Sequence, residues 1–379
     1  MSTNHYDTYR EDVAGRANVE DSPELVAYYR ELEQLKTGAL WTVANKIEPW
    51  QPRSDSVPVL WRYRDLREHV LRSVSLVTPE KAGRRVIYLD NPGRREVAAA
   101  VGWLYSGLQV MHPGERAGAH AHSSSALRFI MEGSGAYTIV DGHKMTLGVN
   151  DFVLTPNGTW HEHGVEDDGL PCIWQDGLDI PLVNALEAGF YAVHPDLQQA
   201  VGYPVDDSPG IWGAAGLRPQ HAGWTQRYSP LFKYTWEATY AALQRYAGAQ
   251  AHDPFDGALM HYTNPIDGGH VMATIGASMQ MLLPGFVGSA HRHTGSFLYQ
   301  VAKGRGHSVI NGQRLDWQER DIFCVPSWAW HEHANASGSE DAVLFSFNDL
   351  PVMEKLGLYR EEALADNGGH QPVLPLVSG

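Results

Sequence analysis

A histidine-rich block occurs twice in this chain, and the spacing of its two copies constrains the fold more than any other feature. A His-x-His pair begins at His120 and again at His291, 171 positions later. Residues 151–163 recur as residues 321–333, at an offset of 170 positions. Several anchors at one offset indicate a tandem duplication, so the chain should contain two copies of one module.

The residues around these anchors indicate strands rather than helices. The chain contains 38 glycines, 22 prolines and 12 tryptophans, which favours a turn-rich β architecture over a helical bundle. Asp141-Gly142 and Asn311-Gly312 both lie between apolar runs, which is a strong signal for a β-hairpin. We therefore predict an all-β fold class with two tandem β modules.

Three histidines of the first module have the spacing of a metal site. His120 and His122 are two residues apart, so in a strand both side chains point to the same face. His161 follows about forty residues later, just after a Pro-x-Gly turn, which suits a strand folding back past the first. Three imidazoles on neighbouring strands can reach one metal ion at about 2.0 to 2.2 Å. The alternative is that they are ordinary polar residues on a sheet face.

The second module keeps the same histidines but changes a neighbouring charge. His291, His293 and His331 could form a second metal site. Six residues after the His-x-His pair, the first module has Arg128 and the second has Tyr299. A guanidinium can bind a carboxylate through two parallel hydrogen bonds, and tyrosine cannot. We therefore do not expect catalysis in the second module.

Charge and hydropathy exclude several classes of partner. The formal net charge is −15, which argues against nucleic acid and anionic membrane surfaces as partners. No apolar run approaches the roughly 20 residues of a membrane span, and the N-terminus lacks the pattern of a signal peptide. The two cysteines, Cys172 and Cys324, lie in apolar runs and are expected to be buried, reduced thiols. These features predict a cytoplasmic protein.

The order of patterns along the chain predicts five segments. Ser22-Pro23 is typical of a helix start, with serine as the cap and proline in the first turn. Further helical spacing occurs at residues 63–74, 184–188 and 236–247. The predicted segments are an N-terminal helical arm and extended segment (residues 1–95), the first β module (96–182), a connector with a helix (183–255), the second β module (256–351) and a C-terminal tail (352–379).

The two histidine motifs resemble the signature motifs of the cupins. These are Gly-x5-His-x-His and Pro-x-Gly-x-x-His, and two copies imply a bicupin with two tandem jelly-roll β-barrels. More narrowly, the chain resembles the gentisate 1,2-dioxygenase family, which includes salicylate and 1-hydroxy-2-naphthoate dioxygenases. This resemblance is carried by Leu-Trp at residues 40–41, Ala-Leu-Arg-Phe at 126–129, Trp-x-Asp-Gly-Leu-Asp-Ile-Pro at 174–181, Asn-Pro and Gly-Gly within 264–269, and Val-Pro-Ser-Trp at 325–328.

The resemblance implies a cofactor, a reaction and an assembly. Many cupins carry a glutamate four or five residues after the second histidine, but here those positions are Ala126 and Leu127, as in the gentisate branch. Three histidines would then hold Fe(2+) and leave positions for a small aromatic acid substrate and O2. The expected reaction opens the ring of gentisate between its carboxyl-bearing and adjacent hydroxyl-bearing carbons, giving maleylpyruvate. The family also implies a homotetramer.

Further side chains near the histidines are candidates for binding and catalysis. Arg128 lies on the histidines' face by strand alternation and is expected to bind the substrate carboxylate. His163 shares the face of His161 and could move a proton. The other candidates for substrate binding are Gln109, Arg84, Arg85, Gly107, Tyr105 and Asp176, of which Asp176 could instead orient a histidine. The alternative for Gln109, His163, Asp176 and the two arginines at 84 and 85 is a structural polar contact. Gly107 lacks a Cβ at the expected ring pocket and could admit a differently substituted ring.

Three alternatives to gentisate cleavage remain open. The first is the same cleavage of salicylate, a substituted salicylate or 1-hydroxy-2-naphthoate. The second is decarboxylation of a small acid with manganese, although such bicupins usually retain the glutamate that is missing here. The third is a non-catalytic bicupin binding protein, although such proteins typically lose the histidines that both modules keep.

Overall fold

The computed structural model describes residues 20–214, 216–220, 223–249 and 252–375, and it divides the chain into two compact units. The described part of the first unit, residues 20–53, holds the first two helices, and the second unit begins at Ser54. The helices are α1 (Pro23–Gln34), α2 (Leu40–Ile47), α3 (Tyr63–Leu76), α4 (Pro79–Ala82), α5 (Ile180–Ala185), α6 (Asp207–Trp212), α7 (Trp236–Ala249) and α8 (Leu350–Lys355). Short 3-10 turns lie at Arg95–Val97 and Asn367–Gly369.

Twenty short and long strands make up the rest of the regular structure in the described ranges. Up to the connector they are β1 (Leu60–Trp61), β2 (Val86–Tyr88), β3 (Tyr105–Met111), β4 (Arg116–His122), β5 (Ala126–Val140), β6 (His143–Leu147), β7 (Phe152–Thr155), β8 (His161–Leu178), β9 (Tyr191–Val193) and β10 (Lys233–Tyr234). After the connector they are β11 (Ala258–His261), β12 (Gly276–Leu282), β13 (His291–His293), β14 (Phe297–Lys303), β15 (Arg305–Ile310), β16 (Gln313–Gln318), β17 (Ile322–Val325), β18 (His331–Asn335), β19 (Ala342–Asn348) and β20 (Glu361–Ala363).

The first module is organised around its two longest strands. β5 and β8 pair antiparallel along their whole length, and three register shifts in the middle interrupt the ladder. Such irregularities bend a strand, so one pair can serve both halves of the module. β3 pairs with one end of β8, and β4 pairs with the other end. This arrangement brings β3, β4, β5 and β8 around one space, where the site lies.

The second module repeats this plan with the long strands interrupted. β14 and β15 take the place of β5, and β18 and β19 take the place of β8. As a result, the module forms separate sheets of six and five strands. The prediction of an all-β fold with two tandem modules, an N-terminal helical arm and a helical connector is confirmed.

Local sequence signals were accurate at turns and at most helices. Val140 pairs with His143, so Asp141 and Gly142 form a two-residue hairpin, with φ values of 45° and 84°. Ser22 accepts a hydrogen bond from the Leu25 amide at 3.2 Å and caps α1, as predicted. The helices predicted near residues 63 and 236 are present as α3 and α7. The helix predicted at 184–188 is wrong in position, because α5 begins at Ile180 and ends at Ala185.

Segments outside the two modules add strands to their sheets, and the modules share a core. β1 pairs with β17 of the second module, and β10 pairs with β7 of the first. Phe129 and Phe345 stack at 4.1 Å between centroids and join the two modules in one hydrophobic cluster. Strand pairing therefore crosses the predicted domain boundaries, and those boundaries stay a prediction.

The expectation for the two cysteines has a structural counterpart. Cys172 and Cys324 are free and buried, as predicted. Within the ranges that the structure describes, none of the helices has the length and apolarity needed to cross a membrane.

Candidate active site

Three histidines of the first module meet at one point, as the sequence predicts. His120 and His161 are direct partners in the β4–β8 ladder, and His122 lies two residues along β4 on the same face. The ring centroids of His120 and His161 are 4.3 Å apart, and those of His122 and His161 are 4.7 Å apart. Their ligand nitrogens all lie within 4.8 Å of one another. Two strands therefore present three imidazoles to one small volume.

Backbone carbonyls fix which nitrogen of each ring faces this volume. The Nδ1 atoms of His120, His122 and His161 donate to the carbonyl oxygens of Gly118, Ser124 and Thr159, at 2.8, 2.7 and 3.0 Å. Each neutral ring then carries its lone pair on Nε2. The Nε2 atoms of His122 and His161 are buried and have no hydrogen-bond partner among the described residues. Buried polar atoms without partners are costly, and a divalent metal ion would satisfy them.

Burial keeps these three imidazoles neutral. It lowers the pKa of His120 to about 3, with help from the nearby Arg84 guanidinium, and the pKa of His122 to about 4. Burial also lowers the pKa of His161 well below its ordinary value. A metal ligand must be the neutral imidazole, so the site is ready to bind a cation at neutral pH. The donor set therefore fits a divalent transition metal such as iron.

No carboxylate joins the three histidines within the described part of the chain. Ala126 and Leu127, where many cupins have a glutamate, are fully buried apolar residues of β5. The cluster with metal-ligand spacing consists of His120, His122 and His161 alone. Because the ligands are neutral, a bound divalent ion would keep its full charge for an anionic ligand.

Arg128 is a buried cation held in a fixed position beside the histidines. It is 1% exposed, and its Nε lies 3.2 Å from Asp176 Oδ1. Its Nη1 donates to Thr155 Oγ1 at 3.0 Å. Burial lowers the pKa of Arg128 to about 10, against the opposing effect of Asp176, so the guanidinium stays charged at neutral pH. Arg128 therefore presents a charged guanidinium close to the histidines.

The structure changes the expected role of Asp176. We predicted that it could orient a histidine, but its carboxylate contacts Arg128 and accepts a hydrogen bond from Trp174 Nε1 at 3.2 Å. Asp176 lies opposite Arg128 in the β5–β8 ladder, which explains the pairing. Asp176 would therefore affect the site by holding the Arg128 guanidinium in place.

The two adjacent arginines before β2 point in different directions. Arg84 is half-buried, and its Nη1 lies 3.1 Å from His120 Nε2. Arg85 is buried and pairs with Glu115, away from the histidines. Neighbouring residues in an extended chain face opposite sides, so only one of the two can reach the site. The residue that contacts the histidines is Arg84, whereas the described partner of Arg85 is Glu115.

His163 and Gln109 lie deep in the module with one polar atom each to spare. His163 Nδ1 is hydrogen-bonded to Thr138 Oγ1 at 2.8 Å, while its Nε2 has no partner in the described residues. Burial, then the charge of Arg128, lowers the pKa of His163 well below its ordinary value. Gln109 is 1% exposed, and its Oε1 has no partner in the same ranges. Both side chains can therefore hydrogen-bond to a ligand.

Tyr105 and Gly107 lie on β3, but Gly107 does not open free space. A Cβ on Gly107 would lie 2.6 Å from Val86 Cγ1, so the side chain of Val86 already fills the volume. The backbone of Ile87 and Tyr88 also lies 3.1 Å from that position, so Gly107 faces β2. Tyr105 stacks on Tyr88 at 6.4 Å between centroids. Burial raises the pKa of Tyr105 to about 12, with a further contribution from Asp176.

A cavity of about 380 Å³ opens beside His122 and Arg84. Sequence reasoning missed most of its lining, which comes from the end of β8, from α5 and from the start of β9. The residues are Ser123, Ser124, Leu178, Ile180, Asn184, Gly189, Phe190 and Tyr191. Tyr191 also stacks on His120 at 5.5 Å. Sequence reasoning also missed Thr138, the partner of His163. The repeat could have indicated it, since a hydroxyl residue, Ser308, occupies the equivalent position and is hydrogen-bonded to His333 at 2.8 Å.

The second module assembles the same three-histidine arrangement. His291 and His331 are direct ladder partners with ring centroids 4.3 Å apart, and His293 completes the cluster. His331 Nδ1 donates to the Ala329 carbonyl oxygen at 2.9 Å, as in the first module. Tyr299 stands where the first module has Arg128, as the sequence alignment of the two repeats predicted.

Comparison with known protein families identifies both repeats. The model of the cupin domain matches residues 107–181 and 278–348. These ranges begin within β3 and β12 and contain the motifs that carry the histidines.

Several characterised proteins are similar over most of the chain. Gentisate 1,2 dioxygenase 1 of Aquipseudomonas alcaligenes is 38% identical over 334 residues, which cover 88% of this chain and 95% of that protein. The 5-aminosalicylate 1,2-dioxygenase of Comamonas sp is 37% identical over 354 residues, with 92% of each chain covered. The crystal structure of salicylate 1,2-dioxygenase from Pseudoaminobacter salicylatoxidans with gentisate superposes with a TM-score of 0.85 at 31% identity, covering 94% of this chain and 98% of that one.

Proposed function

The chain belongs to the gentisate 1,2-dioxygenase family of ring-cleaving dioxygenases, and we propose that it uses Fe(2+) and O2 to open the ring of gentisate. The bond broken joins the carboxyl-bearing carbon to the adjacent hydroxyl-bearing carbon, and the product is maleylpyruvate. Both atoms of O2 enter the product, so no external reductant is needed.

One observation carries this proposal: a cluster of three neutral histidines lies beside two arginines in the first module. His120, His122 and His161 would hold the iron through Nε2. When bound, ferrous iron supplies the electron transfer between a phenolate and O2 that protein side chains cannot provide. Arg84 and Arg128 give the same site a positive charge, which suits a carboxylate-bearing substrate.

Arg128 would bind and orient the substrate carboxylate. Asp176 and Thr155 hold its guanidinium from behind, so binding a ligand costs little side-chain entropy. Arg84 would act at the mouth of the site. Its present contact, the lone pair of His120 Nε2, is the one that a metal would take, which frees the guanidinium for an anion.

His163 and Gln109 would handle the hydroxyl groups of the substrate. His163 is neutral, is held by Thr138 and presents Nε2, so it can exchange a proton with a phenol at that atom. Gln109 would accept a hydrogen bond at Oε1. These roles would give the site a proton acceptor on β8 and a hydroxyl partner on β3.

Oxygen uptake tests this function directly. Protein loaded anaerobically with ferrous iron should consume O2 on addition of gentisate, and mass spectrometry should find a product equal to gentisate plus two oxygen atoms. A His161→Ala variant should lose oxygen uptake and the iron bound by the first module. Iron-loaded wild-type protein that binds gentisate but consumes no O2 would contradict the proposal.

A second candidate substrate class is salicylate and its substituted or fused-ring relatives. It is favoured by relatives of similar identity that are named 5-aminosalicylate and 1-hydroxy-2-naphthoate 1,2-dioxygenases. The uptake experiment should therefore compare gentisate, salicylate, 5-aminosalicylate and 1-hydroxy-2-naphthoate. We expect the highest kcat/KM for gentisate, and a higher value for any other acid would reassign the substrate.

A homotetramer is proposed from the family together with the exposed N-terminal helices. α1 contains no buried residue, and Leu35, Leu40 and Trp41 are each more than half exposed. Apolar surface of this kind is typical of subunit interfaces. Light scattering of the purified protein should give four times the chain mass of 42.0 kDa.

A further inference from the structure

The second module contains a larger cavity than the active site, and its histidines line it. The cavity has a volume of about 700 Å³ and includes His291 and His293 in its wall. His331 completes the cluster and is 1% exposed, and its Nε2 has no hydrogen-bond partner in the described chain. The unpaired Nε2 of His331 is equivalent to that of His161, and it points to a ligand that it would coordinate.

The charges around this cluster are opposite to those of the first module. Glu361 is the ladder partner of His293, whereas Tyr191 holds the equivalent place beside His122. Tyr299 replaces Arg128, and its ladder partner Ser346 lies in the cavity wall.

The charge is also reversed where the chain enters the edge strand. The first module has Arg84 against His120 just before β2. The second has Asp256 just before β11, and Gln280 Nε2 holds its carboxylate at 3.2 Å. Asp256 and His291 lie in the wall of the same cavity.

Only some of the cavity's carboxylates have a cationic partner. The wall contains Asp253, Asp256, Glu354, Glu361 and Glu362 and, among the described residues, neither arginine nor lysine. Glu362 pairs with Arg292, and Glu354 is hydrogen-bonded to His270 Nε2 at 2.8 Å. Glu361 accepts a hydrogen bond from the neutral Tyr359 hydroxyl at 2.7 Å. Asp256 and Glu361 therefore bring negative charge that no basic side chain offsets in the described contacts.

We propose that the second module binds a hydrated divalent transition-metal ion on His291, His293 and His331, and that it excludes aromatic carboxylates. Asp256 and Glu361 would accept hydrogen bonds from the water ligands of the ion and offset its charge. Three imidazoles give such an ion most of its affinity, and outer carboxylates tune it. An aryl carboxylate would meet two carboxylates and no guanidinium, so its binding would be disfavoured. The chain would then carry two metals, of which one supports ring cleavage.

Cobalt binding tests both parts of the proposal, because the visible absorption of Co(2+) reports its ligands. The wild-type chain should bind two equivalents of Co(2+), and the His331→Ala and His161→Ala variants should bind one each. Gentisate should change the cobalt spectrum of His331→Ala, which keeps the first site. It should leave the spectrum of His161→Ala unchanged. Ring cleavage by iron-loaded His331→Ala should persist, which also shows that this variant is folded; a His291→Gln variant provides the same test if it is not.

The outer carboxylates have a matched control on the same strand. Asp256→Asn combined with Glu361→Gln should weaken cobalt binding at the second site about 10- to 100-fold. Glu362→Gln should change it much less, because Arg292 already offsets that charge. A wild-type chain that binds a single equivalent, or a His331→Ala variant that keeps two, would overturn the metal site. A gentisate-dependent spectrum in His161→Ala would overturn the exclusion of aromatic acids.

Discussion

Arg128 links the scaffold to the proposed ligand through one planar group. Its contacts with Asp176 and Thr155 fix the guanidinium at 1% exposure, and a lysine would keep the charge but lose the fork. We expect Arg128→Lys to lower kcat/KM for gentisate by roughly 10²- to 10³-fold, as for other preorganised charge contacts. Steady-state oxygen uptake measures this change.

Iron content is the control for this prediction. Arg128 is not a metal ligand, so Arg128→Lys should retain iron at the wild-type level. Thr155→Val removes one orienting hydrogen bond and keeps the guanidinium, so its effect should be at most about tenfold. A kcat/KM for Arg128→Lys close to wild type would remove Arg128 from the binding site.

Arg84 and Arg85 offer a second test, because they are adjacent and face opposite sides. Arg84→Ala should raise KM for gentisate about tenfold, because an anion-binding group is lost at the mouth of the site. Arg85→Ala should leave KM near the wild-type value and lower the midpoint of chemical denaturation, because Glu115 loses its partner. Equal effects of the two substitutions on KM would contradict the assignment.

The sequence predicted the site residues that depend on strand periodicity and missed the choices that depend on pairing. His120 and His122 follow from the two-residue repeat of a strand, and His161 follows from the turn before it. The choice between Arg84 and Arg85 requires the register that places Val86 opposite Gln109. That register joins segments far apart in the chain, and local patterns do not encode it.

At the level of elements, the hairpin between β5 and β6 depends on two residues with positive φ. Gly142 has φ 84°, and a Cβ there would also lie 3.3 Å from the Ala200 carbonyl oxygen. We expect Gly142→Ala to lower the free energy of unfolding by about 1 to 2 kcal/mol. Denaturant titration of the two proteins measures the difference.

Gly210 is the control for this prediction, because its position can accept a side chain. It lies inside α6, and a Cβ there would have no neighbour within 4 Å. Gly210→Ala should therefore be neutral or stabilising, by up to about 1 kcal/mol. A Gly142→Ala protein as stable as Gly210→Ala would show that the hairpin conformation is not under strain.

Turns and helix caps were predictable because their signals are local. The position of α5 was predicted wrongly. The spacing of apolar residues predicted its start at residue 184, yet Pro181 sits in the first turn of a helix that begins at Ile180. Proline at this position is itself a signal for a helix start. The bends of β5 and β8 carry no comparable local signal, because they follow from pairing with several partners.

In the whole molecule, the modules are joined by a core that the repeat alone could not predict. Phe129 lies on β5 of the first module and Phe345 on β19 of the second, and their stacking depends on how the modules dock. β1 and β10 add to the sheets of the two modules from segments that we had assigned to the arm and the connector. The duplication predicted each module separately. It could not predict these contacts, because they join residues far apart in the chain and depend on how the modules pack together.

Burial of histidines in both modules should make the metal-free protein sensitive to acid. His333 is held by Ser308, and burial lowers its pKa to about 3, whereas an unfolded histidine titrates near 6.5. Between these values the unfolded state binds more protons, so this group's contribution to stability is fully present above about pH 6.5 and is lost as pH falls toward 3. The unfolding free energy of the metal-free protein should therefore decrease from pH 6.5 to pH 4.

Replacing one of these histidines should reduce that dependence by a measurable amount. His333→Gln removes one group that takes up a proton on unfolding, so the slope near pH 5 should fall by roughly one proton, or about 1.4 kcal/mol per pH unit. Between pH 7.5 and 8.5 neither state protonates the imidazole, and the slopes of the two proteins should agree. Parallel slopes near pH 5 would mean that His333 takes up its proton without unfolding, so that water reaches the second cavity in the folded protein.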